Sequence, residues 1–134
     1  MKTWHAGVLI AALLAAVFAL AVPQQKEDVP KYVAAQEQTF RGVVQEVRDR
    51  ECPMSGGMGS HVIIKLDEPA KTIEVHIAPT KIMKDFEVTF NVGDKIEVIG
   101  TKVIFEGVET IFAREIHRGG DVYVFRDKNG KPIW

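Results

Sequence analysis

The single cysteine of the chain lies in a glycine-rich run, Cys52-Pro53-Met54-Ser55-Gly56-Gly57-Met58-Gly59-Ser60-His61, which places a thiol, two thioethers and an imidazole within ten residues. Thiolate and thioether sulfur favour Cu(I) and other soft ions, and imidazole suits copper or zinc. The glycines would let a loop turn these side chains toward one centre. No Cys-x-x-Cys-His stretch is present, so covalent c-type haem attachment is not indicated. No serine, histidine and acid arrangement, paired-carboxylate motif or phosphate loop is visible. The chemistry on offer is therefore binding, and the expectation is a protein without catalytic activity.

A second imidazole is brought to this run by a hairpin. His61-Val62-Ile63-Ile64-Lys65-Leu66 and Thr72-Ile73-Glu74-Val75-His76-Ile77 both alternate apolar and polar residues around the turn-like Asp67-Glu68-Pro69-Ala70. A four-residue loop sets Leu66 opposite Lys71, Ile64 opposite Ile73, Val62 opposite Val75 and His61 opposite His76. The two histidines then share the face away from the apolar set, with Lys65 and Glu74 on that same ligand face. The candidate metal site is Cys52, His61 and His76, with Met54 or Met58 as a further soft ligand. Copper is the first choice and zinc the second. The Cys, His, His and Met set resembles the inventory of blue-copper sites, but its order and spacing differ from that family's loop, so electron transfer does not follow. Two alternatives stand beside the metal: a loop that merely covers the fold with Met and Cys52 as packing, and a redox-active or cross-linked thiol.

The elements that position these residues are short strands. Thr39 to Arg48 reads as a first strand that bends at Gly42, followed by a loop over Asp49 to Gly59 and then the hairpin. Pro79 to Asp85 reads as one or two helical turns with Thr80 as N-cap. Lys95 to Gly100 alternates with Ile96 and Val98 inward. Strands over 102–105 and 109–116 surround the tight turn Glu106-Gly107, and Val122 to Arg126 forms a short last strand. His117, Asp94 and Asp127 read as solvated or turn-forming residues. Tyr123, Phe125 and Trp134 read as packing, with an aromatic platform as the alternative.

Five to six strands with one short helix between the third and fourth is the element order of an all-β OB-fold-like barrel. Val92-Gly93-Asp94-Lys95-Ile96-Glu97-Val98-Ile99-Gly100 resembles the fourth-strand entry of many OB domains, with Gly42-Val43-Val44 resembling the first strand and Ala113-Arg114-Glu115-Ile116 the fifth. Tyr123-Val124-Phe125-Arg126-Asp127 through Gly130 is distantly similar to a stretch of the periplasmic BOF-type stress proteins. That resemblance implies an exported bacterial OB-fold protein and a role in envelope stress.

Ahead of the barrel, Ala6 to Val22 is a 17-residue apolar run after a short start with one lysine, and Ala19-Leu20-Ala21 offers a small-x-small cleavage pair. Residues 1–21 are a signal peptide or, if uncleaved, an anchor helix at the short limit for a ~30 Å hydrocarbon core. Residues 22–35 read as a linker and 36–134 as the domain. Either outcome puts the domain in the periplasm or otherwise outside the cytoplasm. One cysteine in an exported chain has no internal disulfide partner. Without residues 1–21 the chain has 16 Lys+Arg against 18 Asp+Glu, a net charge of −2, which argues against nucleic acid. The expected partner is a metal ion or small ligand. The alternative is an interaction module docking an envelope protein, touching the membrane only through an uncleaved N-terminal segment.

Overall fold

The computed structural model describes residues 29–134. The signal or anchor segment and the first part of the linker lie outside the described residues. A 3-10 turn at Ala34–Gln36 leads into β1 (Gln38–Cys52), β2 (Gly57–Leu66), β3 (Thr72–Pro79), α1 (Thr80–Asp85), β4 (Lys95–Phe105), β5 (Val108–Arg118) and β6 (Asp121–Val124).

β1 serves two neighbours. Its first part pairs antiparallel with β4, Gln38 opposite Gly100 through Val43 opposite Lys95. Its longer remainder pairs with β2, Gly42 opposite Leu66 through Cys52 opposite Gly57. Gly42 belongs to both ladders, and a Cβ there would come within 2.5 Å of the Lys65 carbonyl oxygen. Only glycine allows the strand to curl this closely against its neighbour. β3 runs parallel to β5 from Glu74 opposite Thr110 to His76 opposite Phe112, and β4 pairs antiparallel with β5. The ring β1-β2-β3-β5-β4 is thereby closed, with α1 between β3 and β4, as in an OB-fold. β6 adds a sixth strand at the far end of β5.

The β2–β3 register is the one the alternation predicts: Ile64 opposite Ile73, Val62 opposite Val75 and His61 opposite His76. Val44, Val62, Ile64, Val75, Ile77, Ile96, Val98 and Ile111 fill the barrel, and Met83 and Phe90 pack against its end. Phe125 belongs to this core, while Tyr123 packs against Phe90 and Trp134 lies against the Arg126 guanidinium. These aromatics are packing and do not form an open platform.

Two expectations are corrected. The Asp49 to Gly59 segment is not a loop: the ladder continues through Arg50 opposite Gly59 and Glu51 opposite Met58 to Cys52 opposite Gly57. Only Pro53–Gly56 remains as a turn, with Gly56 at φ +69°. Glycine content suggested flexibility, yet Gly57 and Gly59 are strand residues, and Gly59 gives the neighbouring Ser55, Cys52 and His61 side chains room. Thr80 is the first residue of the helix, and Pro79 occupies the cap position without a side-chain cap.

A second, smaller core lies on the outside of the barrel. Cys52, Phe105 and Phe112 form it, joined by Tyr32, Met54 and Val103. It exists because β4 and β5 run on past the ring as a hairpin while the extended end of β1 folds toward them.

At Gly100 a methyl group would collide with the Phe112 carbonyl. Gly42→Ala and Gly100→Ala are each expected to lower the unfolding free energy by about 2–3 kcal/mol, whereas Gly120→Ala, with open space around it, should stay within about 0.5 kcal/mol. Urea unfolding of the three variants checks this.

Candidate metal centre

The hairpin register and the end of β1 bring three of the sequence-derived site residues together. Cys52, His61 and His76 each offer a ligand atom, and these atoms all lie within 4.8 Å of one another. Cys52 Sγ is 3.4 Å from His76 Nδ1. The two imidazoles meet edge to face with ring centroids 4.2 Å apart. Their Cα atoms are fixed by direct cross-strand pairing in the ladder, so this approach is a property of the sheet.

The expected outer face exists, but it is roofed over. His61 is 0% exposed, His76 1% and Cys52 2%. Phe105 and Phe112 stand against His76 at 5.2 and 5.5 Å between centroids. Phe112 arrives through the parallel β3–β5 pairing, which sets it opposite His76, and Phe105 through the β4–β5 hairpin. Gly59 leaves the remaining space: a Cβ there would come 2.6 Å from Ser55 Oγ, 3.0 Å from Cys52 Cβ and 3.3 Å from His61 Nε2.

Neither nitrogen of His61 has a hydrogen-bond partner, and Ser55 Oγ is likewise buried without one. A buried polar group left unpaired in this way costs a few kcal/mol. Burial holds both imidazoles in the neutral form, lowering His61 from 6.5 to about 4 and His76 to about 3. For His61 the Glu74 carboxylate opposes that effect, and the nearby Arg48 carbonyl adds a smaller pull in the same direction without forming a hydrogen bond of good geometry. For His76 the neighbouring His61 and Arg50 add to it. Two neutral imidazoles are in the form that binds a metal, and the thiol beside them would bind one on loss of its proton.

Met54 and Met58 are placed elsewhere. Met54 packs in the outer core beside Cys52, but Arg126 Nη2 donates to its Sδ at 3.6 Å. Met58 is opposite Glu51, so alternation puts it on the hairpin face away from Cys52, 46% exposed. Lys65 is exposed on β2 and takes no part. Glu74 is at the site, its Oε1 3.5 Å from His76 Nε2 and 3.8 Å from His61 Nδ1. His117 is away from the cluster, its Nε2 3.2 Å from a Glu115 oxygen, and Asp94 closes a turn by accepting from the Asn91 amide.

Sequence reasoning missed Arg50, which donates to Glu74 at 2.9 and 3.2 Å, and the two phenylalanines. Alternation along β1 puts Arg50 on the same face as Cys52 once that strand is seen to continue. No local pattern announces Phe105 or Phe112, because the long-range parallel β3–β5 pairing delivers Phe112 and the hairpin that β5 forms with β4 delivers Phe105.

A sequence model of magnetosome proteins matches residues 36–123, spanning the closed barrel and all three candidate ligands. The chain belongs to the MamS/MamX magnetosome protein family. That family is not the BOF-type stress proteins suggested by Tyr123 to Gly130, although the OB-fold expectation holds. No curated protein matches the chain. Among solved structures, similar chains include the N-terminal domain of PriB protein from Thermoanaerobacter tencongensis, a dimeric structure, at 16% identity and TM-score 0.49, covering 65% of this chain and 99% of that one. Another is from a replication protein A heterotrimer bound to ssDNA, at 17% identity and TM-score 0.43, covering 64% of this chain and 59% of that one. Neither likeness bears on ligand or partner, and strand order alone identifies the barrel of this MamS/MamX member.

The neutral histidines make stability depend on pH with a definite sign. Above the ordinary value of 6.5 the rings are neutral in both folded and unfolded chains, and the full stability is present. As pH falls below 6.5 the unfolded chain takes up protons that the fold refuses, until the folded values of about 4 and about 3 are passed. Metal-free protein should therefore lose stability steadily across that window, on the order of 1 kcal/mol per pH unit for each histidine. Urea unfolding with a chelator at about pH 7.5, 6 and 5 measures the slope, and His61→Leu with His76→Leu should flatten it.

Proposed function

We propose that this protein is an exported, non-catalytic OB-fold binding protein that holds a soft metal ion, copper first and zinc second, between Cys52, His61 and His76. The observation that carries the reading is His61: fully buried, neutral, unpartnered at both nitrogens, and beside a thiol and a second imidazole. One sulfur and two nitrogen ligands suit copper in trigonal coordination, whereas a structural zinc site takes four protein ligands. Met54 is close enough in the fold to add a soft neighbour, but its sulfur is engaged by Arg126. Membership of a magnetosome family supports a setting at that organelle, outside the cytoplasm in keeping with the N-terminal apolar run.

Cys52, His76 and Glu74 also stand in the order of nucleophile, base and orienting acid. The 2% exposure of Cys52 keeps substrate away, and that reading leaves His61 unexplained. Nucleic acid is disfavoured for a related reason. The usual OB ligand face on β2 and β3 is covered here by Cys52, Phe105 and Phe112, and the exported part is weakly acidic.

A second reading, an interaction module of the cell envelope with a structural Cys52 hairpin, draws on Ile104 and Val108, large apolar residues exposed on the β4–β5 hairpin. It needs neither thiol nor imidazole.

The deciding experiment is equilibrium titration of the reduced protein with Cu(I), Zn(II) and Fe(II) against competing chelators. The expected result is one Cu(I) per chain, with about one proton released from the thiol because both imidazoles are already neutral. Cys52→Ser should weaken binding by about 100-fold or more. A parent that binds none of the three ions, or a Cys52→Ser variant that binds as the parent does, would sink the assignment.

A further inference from the structure

The polar neighbours of the two imidazoles divide their nitrogens into an inner and an outer pair. His76 Nδ1 faces Cys52 Sγ at 3.4 Å, while its Nε2 faces Glu74 Oε1 at 3.5 Å. For His61 the Nδ1 is 3.8 Å from the same Glu74 oxygen. Its Nε2 points to the space beside Gly59, Cys52 and Ser55. One carboxylate oxygen thus stands behind both rings on the side away from the thiol.

That carboxylate is itself held. Arg50 donates to Glu74 Oε1 through Nη2 at 2.9 Å and Nε at 3.2 Å, and its Nη1 lies 3.1 Å from Glu106 Oε2. The guanidinium reaches from β1 across β2 to β3 and is tied to the tip of the β4–β5 hairpin. Glu74 is only 14% exposed at its side chain. It is not one of the ligands whose atoms cluster mutually within 4.8 Å.

We infer that Glu74, clamped by Arg50, is a positioning residue for both imidazoles: its charge, 3.5 and 3.8 Å away, favours the tautomers that carry the proton on His76 Nε2 and His61 Nδ1, leaving His76 Nδ1 and His61 Nε2 bare to face the thiol side. This rests on the proposed metal site for its purpose, but its content concerns the protein without metal. A carboxylate behind a ligating imidazole fixes tautomer and ring orientation and raises ligand basicity. Here one carboxylate does so for two rings, and the same Arg50 that holds it also ties down the strand carrying Cys52. In the metal-free protein the Cys52 thiol donates its proton to His76 Nδ1, and a metal ion would take that proton's place between sulfur and nitrogen.

The test is imidazole nitrogen NMR on the full, metal-free, reduced chain. The expected spectra show the proton on Nε2 of His76 and Nδ1 of His61. Either ring carrying its proton on the opposite nitrogen overturns the inference. Glu74→Gln should replace this with mixed tautomers and weaken Cu(I) binding by about 10- to 100-fold while Cys52 stays a ligand. Lys65→Gln, at an exposed residue of β2 that takes no part in the site, should change neither readout. Unaltered tautomers and affinity in Glu74→Gln would also reject the positioning role. If the parent shows the expected tautomers yet binds no ion, the metal assignment fails and the role of Glu74 stands.

Discussion

The inner face of the β2–β3 hairpin fills the barrel with Val62, Ile64, Ile73, Val75 and Ile77, and a slip of one residue in its register would turn this set toward solvent. That constraint decides the rest. Once these residues face inward, His61, His76 and Glu74 must stand together on the other face, at adjacent pleats of two neighbouring strands. Their meeting follows from a packing demand made by other residues. Closure of the ring through β3 and β5 then carries Phe112 to the same face, opposite His76.

An outer face of a sheet is normally wet, and imidazoles there would be solvated. Here the β1–β2 hairpin and the β4–β5 hairpin both outrun the barrel, and their apolar inner sides meet over β2 and β3. The result is a second interior in which Cys52, Phe105 and Phe112 exclude water from two histidines. Burial opposes protonation of the rings, and the Arg50–Glu74–Glu106 bridge sits at the edge of this interior, where charge is still partly solvated. Apolar walls inside and an ionic seal outside keep unpaired imidazole nitrogens beside a thiol.

The strands, their order, the small helix and the His61–His76 pairing were legible because each rests on local signals: alternation of period two, a four-residue turn and glycines at turns. The His61–His76 half of the candidate cluster was legible for the same reason, since hairpin register alone joins the two, whereas Cys52 reaches them through a continuation of β1 that the sequence reads as a loop. The glycine-rich run misled. Its composition is that of a loop, but Gly57 and Gly59 are ladder residues, and Gly59 leaves room for Cys52 and His61. The thioethers misled too, because counting sulfur within ten residues ignores the side-chain alternation that sends Met58 outward. Burial of the site was not legible at all. It depends on β5 lying parallel beside β3, and nothing near residue 76 in sequence marks residues 105 and 112 as its neighbours.

The turn at Pro53–Gly56 links the strand that carries Cys52 to the strand that carries His61, and Cys52, His61 and His76 are each at most 2% exposed. An ion bound there would be joined to β1, β2 and β3 at once, and peeling of this hairpin end from the outer core would release it. Its residence time would then be governed by how often the hairpin frays, a local opening far cheaper than global unfolding. Affinity and exchange rate would be set by different parts of the molecule: ligand chemistry for the first, and the packing of Met54, Tyr32 and Phe112 over the hairpin end for the second.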